Sequence, residues 1–187
     1  SSDVCSSDLI VGVFMLAGAM MSFSGCSSSQ ISQKQSPVQE NLNPNQILEV
    51  LKSGNEHFVH HKNSFPHLDQ ARMNEEISGQ HPIATVISCS DSRVPVELVF
   101  DRGIGDLFVI RTAGNSLDDD MTMGSLEYAV DHLHTKLIVV VGHEKCGGIT
   151  AAISNHSEGK EPKEISSLIE TLRKGVEPFV GDRKSVV

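Results

Sequence analysis

The sequence predicts an α/β domain, a parallel-core β-sheet flanked by helices with Rossmann-like connectivity. Three observations carry that expectation. The runs IATVIS (83–88), DLFVI (106–110) and KLIVVVG (136–142) are short, continuously apolar and bounded by polar residues or glycine, the pattern of strands buried on both faces of a parallel sheet. Between the last two lies MTMGSLEYAVDHL, where Met123, Leu126, Tyr128, Ala129, Val130 and Leu133 suggest a crossover helix. After the third run, CGGITAAIS opens another helix, and this alternation argues for right-handed crossovers.

The remaining elements follow from the same patterns. NPNQILEVLKSGNEHFVHH places Ile47, Leu48, Leu51, Phe58 and Val59 close to helical spacing, with Asn45 as its cap. A second short polar helix is expected over Asp69 to Gln80. KEISSLIETLRKGVEPFV reads as one amphipathic helix.

The first 26 residues read as a signal peptide rather than as fold. Leu9 to Phe23 is an uncharged run of 15 residues, short for a membrane span and suited to a signal-peptide core. Ser24 and Gly25 followed by Cys26 look like the lipobox of a bacterial lipoprotein, cleaved before Cys26 and lipidated on its thiol. Phe23 stands where a lipobox usually has leucine, and an uncleaved N-terminal anchor is the alternative. Either places the domain outside the cytoplasm, and Ser27 favours an outer-membrane lipoprotein on the periplasmic side. No lysine or arginine precedes Lys34, although a signal peptide should open with positive charge. The opening SSDVCSSDL has no initiator methionine and resembles translated adapter sequence more than a gene start, and the closing RKSVV invites the same reading. Residues 27–45, rich in Ser, Gln, Asn and Pro, form a flexible tether, which leaves 46–187 as the folded domain.

Bulk composition excludes some partners. The chain has 187 residues and a formal net charge of -9, so nucleic acid and anionic membrane are poor matches for its surface. With no tryptophan and one tyrosine, it has no aromatic platform for single-stranded nucleic acid. Four scattered cysteines are too few for the disulfide scaffold of a small secreted domain.

The chemistry gathers at two strand ends. In open α/β sheets, ligands bind beyond the carboxyl ends of the strands. Cys89 directly follows the first apolar run and His143 the third. In VVVGHEKCGG, His143 and Cys146 are three apart at a strand-to-helix turn and can face one point. Gly142, Gly147 and Gly148 let the backbone turn sharply and approach that point. Two thiolates and one imidazole are a mixture that zinc favours, and a catalytic zinc keeps its fourth position for water. A Cys89–Cys146 disulfide is an alternative that an oxidising compartment permits. So is a pair of buried apolar cysteines beside a turn histidine. The histidines of HFVHHK read as surface residues, and the GIG at Gly103 to Gly105 lacks the third glycine of a dinucleotide fingerprint.

Asp91 and Arg93 break the tie. A surface ion pair would be the ordinary reading. Held bidentately, however, the arginine keeps the carboxylate ionised and fixed in direction. Beside a metal-bound water such a carboxylate can accept a proton or a hydrogen bond. Two thiolates cancel the charge of zinc and so acidify its water less than three neutral imidazoles would, which gives the carboxylate a task.

Together these residues are similar to the β-class carbonic anhydrases. The paired signatures C-x-D-x-R and H-x-x-C-G stand here as Cys89, Asp91, Arg93 and as His143, Cys146, Gly147. Between them, FDRGIGDLFVIRTAGN and GSLEYAVDHL resemble the family's intervening segments, and the similarity runs from Ile47 to Ile153. The resemblance implies one Zn2+ per chain on Cys89, His143 and Cys146, and a zinc hydroxide that converts carbon dioxide reversibly to bicarbonate. Asp91 with Arg93 would orient the hydroxide or, in resting forms, displace the water. Phe108, Ala113 and Tyr128 match positions lining the substrate pocket, although the family often has valine where Ala113 stands. Homodimers or higher homo-oligomers, with sites near subunit interfaces, are implied as well. The family continues with a further strand and C-terminal helices where only 39 residues follow Gly148 here, so an incomplete domain is expected. Some relatives hydrolyse carbonyl sulfide or carbon disulfide. A redox-sensing zinc domain is the non-catalytic alternative, and Asp91 and Arg93 speak against it.

Overall fold

The computed structural model describes residues 42–154 and 161–179. The leader, Cys26 and residues 27–41 of the tether lie outside the described residues. The first element is α1, Pro44–Val59. Its cap is Asn43 rather than Asn45, for a local reason. Pro44 suits the first helical position, where a missing N–H costs nothing. The Asn43 side chain accepts the Gln46 amide, and the Gln46 side chain accepts the Asn43 amide, which closes a capping box. The predicted polar helix is shorter than expected. It forms α2, Gln70–Glu75, capped by Asp69, and tightens into a 3-10 turn over Glu76–Ser78.

Three strands, β1 (Ala84–Cys89), β2 (Leu107–Thr112) and β3 (Ile138–Val141), form a parallel sheet in the order β2-β1-β3. Among the described residues only β1 is interior, and all six of its residues are buried. This corrects the expectation that all three runs are buried on both faces. In β3, Ile138 and Val140 are 44% and 66% exposed, while Val139 packs with Ile47, Leu51, Ile83, Ala84 and Leu107 beneath α1. Alternation in a strand sends successive side chains to opposite faces, and among the described residues one face of β3 is uncovered.

Helix α3 (Val96–Val99) lies between β1 and β2, and α4 (Asp120–Asp131) between β2 and β3. Asp119 caps α4 through the amides of Met121 and Thr122. This helix seats shallowly. Ala129 is buried, but Met123, Tyr128 and Val130 are each more than 40% exposed. Thr135, just after it, hydrogen-bonds Thr85 of β1 at 2.8 Å. Helix α5 (Gly147–Ile153) leaves the third strand, and α6 (Lys163–Val176) packs on it through Ala152, Ile169 and Leu172. Among the described residues no helix is long and apolar enough to cross a membrane.

A buried carboxylate ties the loop after α1 to the chain after α3. Asp101 is 1% exposed and accepts from the amides of Ser64 and Phe65, the Ser64 hydroxyl and His57 Nδ1, at 2.8–2.9 Å. Burial pushes its pKa up, but these donors outweigh burial and hold it well below the usual carboxylate range.

Candidate metal centre

Strand register brings the ligands together. Cys89 is the last residue of β1, and its neighbour Ser88 pairs with Val141 at the end of β3. Adjacent strands lie about 4.8 Å apart, so the chain leaving β3 at Gly142 stands beside the Cys89 thiol. One donor atom from each of Cys89, His143 and Cys146 lies within 4.8 Å of the others. The two sulfurs are 3.9 Å apart, and both cysteines are free and buried. A disulfide needs about 2.05 Å. Two sulfurs held tetrahedrally on one ion at about 2.3 Å each stand about 3.8 Å apart, which is the spacing seen.

The histidine is set for the same task. His143 Nδ1 donates to the Glu144 carbonyl at 3.0 Å, which leaves the lone pair on Nε2. That atom is buried and has no hydrogen-bond partner among the described residues. An orphaned buried nitrogen facing two thiols calls for a cation. Burial pushes the Cys89 thiol up, but the His143 ring, the Asp91 and Gly114 amides and Cys146 together bring it down to about 7. A thiol so placed ionises readily, as a metal ligand must. The donor set, two sulfurs and one imidazole nitrogen with no fourth protein ligand among the described residues, fits zinc.

Asp91 and Arg93 meet as expected of a fork. Arg93 Nε donates to Asp91 Oδ1 at 2.8 Å and Nη2 to Oδ2 at 2.6 Å, and the Arg93 amide adds a bond to Oδ1 at 2.9 Å. These contacts hold the carboxyl well below the usual carboxylate range. Its Oδ2 lies 3.8 Å from His143 Nε2, so the ionised carboxylate borders the ligand cluster without displacing a ligand. Arg93 Nη2 also donates to the Lys145 carbonyl at 3.2 Å and so links the two ligand turns. Lys145 sits at φ 53, a conformation uncommon for a residue with a Cβ.

The other expected site residues are spread more widely. Of the three glycines, Gly148 makes the close approach, since a Cβ there would stand 3.0 Å from Leu172 Cδ1. At Gly142 and Gly147 a Cβ would meet nothing within 4 Å among the described residues. Ala113 is exposed just past β2. Phe108 and Tyr128 pair at 6.2 Å between ring centroids. Phe108 lies four residues before Thr112, the register partner of Cys89, or about 13 Å back along the strand. Cys26 lies outside the described residues.

Several residues that touch the site were not singled out from the sequence. Gly114, at φ 70, donates its amide to Cys89 Sγ at 3.4 Å, and its missing Cβ makes room for Leu172. Arg111 and Asn115 reach the carbonyls of the ligand-bearing segments. The available signal was a lone cation in the strand LFVIRT followed by a glycine and an asparagine.

Fold and site define a class, a parallel α/β metalloprotein with a thiol–imidazole centre at the carboxyl ends of adjacent strands. A family model described as carbonic anhydrase matches residues 84–185, which include the three described strands and Cys89, His143 and Cys146. Carbonic anhydrase 2 of Mycobacterium tuberculosis is 43% identical over 122 residues, covering 65% of this chain and 58% of that protein. A carbonic anhydrase of Mycolicibacterium smegmatis is 40% identical over 140 residues, covering 75% and 66%. Among solved structures, a tetrameric β-carbonic anhydrase of Sordaria macrospora superposes with TM-score 0.53 at 30% identity, covering 76% of this chain and 70% of that one. The Coccomyxa β-carbonic anhydrase gives TM-score 0.54 at 26% identity, covering 78% and 62%. The chain belongs to the carbonic anhydrase family, in its β class. It spans 58% and 66% of the two curated relatives' lengths.

Proposed function

We propose that this protein catalyses the reversible hydration of carbon dioxide to bicarbonate and a proton, with one Zn2+ per chain on Cys89, His143 and Cys146. The observation that carries the proposal is an arginine-clamped carboxylate 3.8 Å from the orphaned ligand nitrogen. Bound zinc supplies Lewis acidity that makes a water nucleophilic near neutral pH. Asp91, ionised and aimed by Arg93, would accept a hydrogen bond from the attacking water and hold its orientation toward the substrate. Arg93 keeps Asp91 from taking up a proton in the working pH range and holds the Lys145 carbonyl, so both ligand turns keep their spacing. The relatives' names favour hydration over hydrolysis of carbonyl sulfide or carbon disulfide, and the clamped carboxylate favours an enzyme over a redox-sensing zinc domain.

The aromatic pair supports assembly. Phe108 and Tyr128 lie far from this chain's own ligands, and Tyr128 is 45% exposed. If these rings line a pocket at the metal, a second copy brings them there, which makes the working enzyme a homodimer or larger. The Sordaria relative is tetrameric. The apolar run Leu9 to Phe23, followed by Ser24, Gly25 and Cys26, further supports a lipid anchor on the periplasmic side of a bacterial membrane, as an outer-membrane lipoprotein.

The test is zinc content and stopped-flow carbon dioxide hydration on the full chain and on Cys89→Ser. One zinc per chain with fast hydration, both lost in the variant, is the expected result. Hydration that survives loss of Cys89 would overturn the assignment. Sedimentation reads the assembly, and the mass of the mature N-terminus reads lipidation at Cys26.

A further inference from the structure

The segment leaving β2 grips both ligand-bearing turns. Arg111 is the fifth residue of β2 and pairs in register with Ser88. Its Nε donates to the Cys89 carbonyl at 2.9 Å and its Nη2 to the Asp91 carbonyl at 2.6 Å. Between these two carbonyls lies Ser90, whose amide donates to the Thr112 carbonyl at 3.0 Å. Residues 111 and 112 thus hold the stretch from Cys89 to Asp91 at three points. A little further on, Asn115 Nδ2 donates to the Val141 carbonyl at 2.8 Å, two residues before His143.

These contacts differ in kind from the Asp91–Arg93 fork. That fork joins two side chains of one turn and orders them against each other. Apart from its reach to Lys145, it does not attach the turn to the sheet. Cys89 and Thr112 are the last register pair of β1 and β2, and carbonyls at a strand end need a partner from outside the regular ladder. A guanidinium presents donors in a rigid plane and can satisfy both carbonyls at once, which a lysine ammonium on a flexible stem cannot do with the same geometry.

We infer that Arg111 is a positioning residue of the metal centre: by bridging the Cys89 and Asp91 carbonyls it fixes the thiol and the carboxylate relative to each other and to the sheet. Asn115 does the matching service for the end of β3. The inference rests on the reading of Cys89, His143 and Cys146 as a zinc site. Arg111 touches neither the ligand atoms nor the Asp91 carboxylate, so it acts through backbone placement alone.

The experiment compares the full wild-type chain with Arg111→Met, Arg111→Lys and Asn55→Ala. Asn55 makes a comparable side chain-to-carbonyl bond, to Val99, and touches neither ligand turn. Zinc affinity is read by chelator competition, and the site's geometry by the visible bands of the cobalt-loaded protein. The wild type shows thiolate-to-cobalt charge transfer and tetrahedral bands. Both Arg111 variants lose about 10- to 100-fold in zinc affinity, the scale seen when a ligand's supporting contact is removed, and their cobalt bands shift. Asn55→Ala melts at a lower temperature but keeps wild-type affinity and bands. Folded Arg111 variants with wild-type affinity and bands overturn the inference alone, and Arg111→Lys decides if Arg111→Met does not fold. A wild type that binds neither ion overturns the metal site and the inference with it.

Discussion

Replacing Asp101 by Asn separates the shape of a buried clamp from its charge. The carboxylate receives the Ser64 and Phe65 amides on Oδ1, and the Ser64 amide, the Ser64 hydroxyl and His57 Nδ1 on Oδ2. An Asn side chain can turn its oxygen to the two backbone amides, which have no alternative partner. Its NH2 then faces a hydroxyl that can rotate to accept and a histidine that can change tautomer. The geometry survives, and the charge is lost. Hydrogen bonds to a charged group contribute about 1.5–3 kcal/mol and neutral ones about 0.5–1.5, so weakening the set costs about 2–4 kcal/mol. That is a large share of a typical stability of about 5–15 kcal/mol.

The same variant carries a pH signature. The native carboxyl titrates below its unfolded counterpart, so in the acid range the unfolded chain binds more protons and stability falls as pH falls. The stabilisation is fully present above the unfolded pKa of about 4 and drains away below it. Urea unfolding at neutral pH and through the acid range, on wild type and Asp101→Asn, measures both effects. The variant should be weaker at neutral pH, and the two curves should converge on acidification. A neutral-pH loss under about 0.5 kcal/mol, well below one charged hydrogen bond, or an unchanged acid slope, would refute the account of Asp101.

Other outcomes follow from the site. His143→Ala and Cys146→Ser should each abolish tight zinc binding without unfolding the sheet, and wild-type zinc affinity should fall as pH drops below about 7, where Cys89 takes up its proton; chelator titration across pH checks both. After zinc removal, oxidised glutathione should close a Cys89–Cys146 disulfide across the 3.9 Å gap, with the thiols oxidised and glutathione reduced. Peptide mapping reads the link, and zinc-loaded protein should resist it. Gly114→Ala should destabilise the fold by at least about 1 kcal/mol, the cost of a left-handed backbone with a Cβ, because φ is 70 and the new methyl meets Leu172 Cδ1 at 2.6 Å. A urea midpoint equal to wild type would contradict that.

The strands and ligands were legible because their signals are local. A strand that surfaces at a cysteine, and another that surfaces two residues before a histidine, show themselves in IATVISC and LIVVVGH without any knowledge of their neighbours. The spatial order of the strands was not legible. Val140 looks as buried as Val86 in sequence, yet it is exposed because, among the described residues, nothing covers its face of β3. Arg111 and Asn115 stayed hidden because their carbonyl partners, 20 to 26 residues away in the chain, come near only once the sheet is assembled. The cap at Asn43 was missed because Asn45 carries the same chemistry two residues later, and the choice falls to the proline between them. Asp101 gave no signal at all. Its partners lie 36 to 44 residues away.

The register that joins the two cysteines also sets when the site can exist. Cys89 and Cys146 are 57 residues apart, and the pairing of β1 with β3 makes them neighbours across α3, β2 and α4. In a zinc finger, the metal gathers ligands from a short loop and folding waits for it. Here the candidate ligands come from strands that are distant in sequence, so the paired sheet, and not a short loop, sets their spacing.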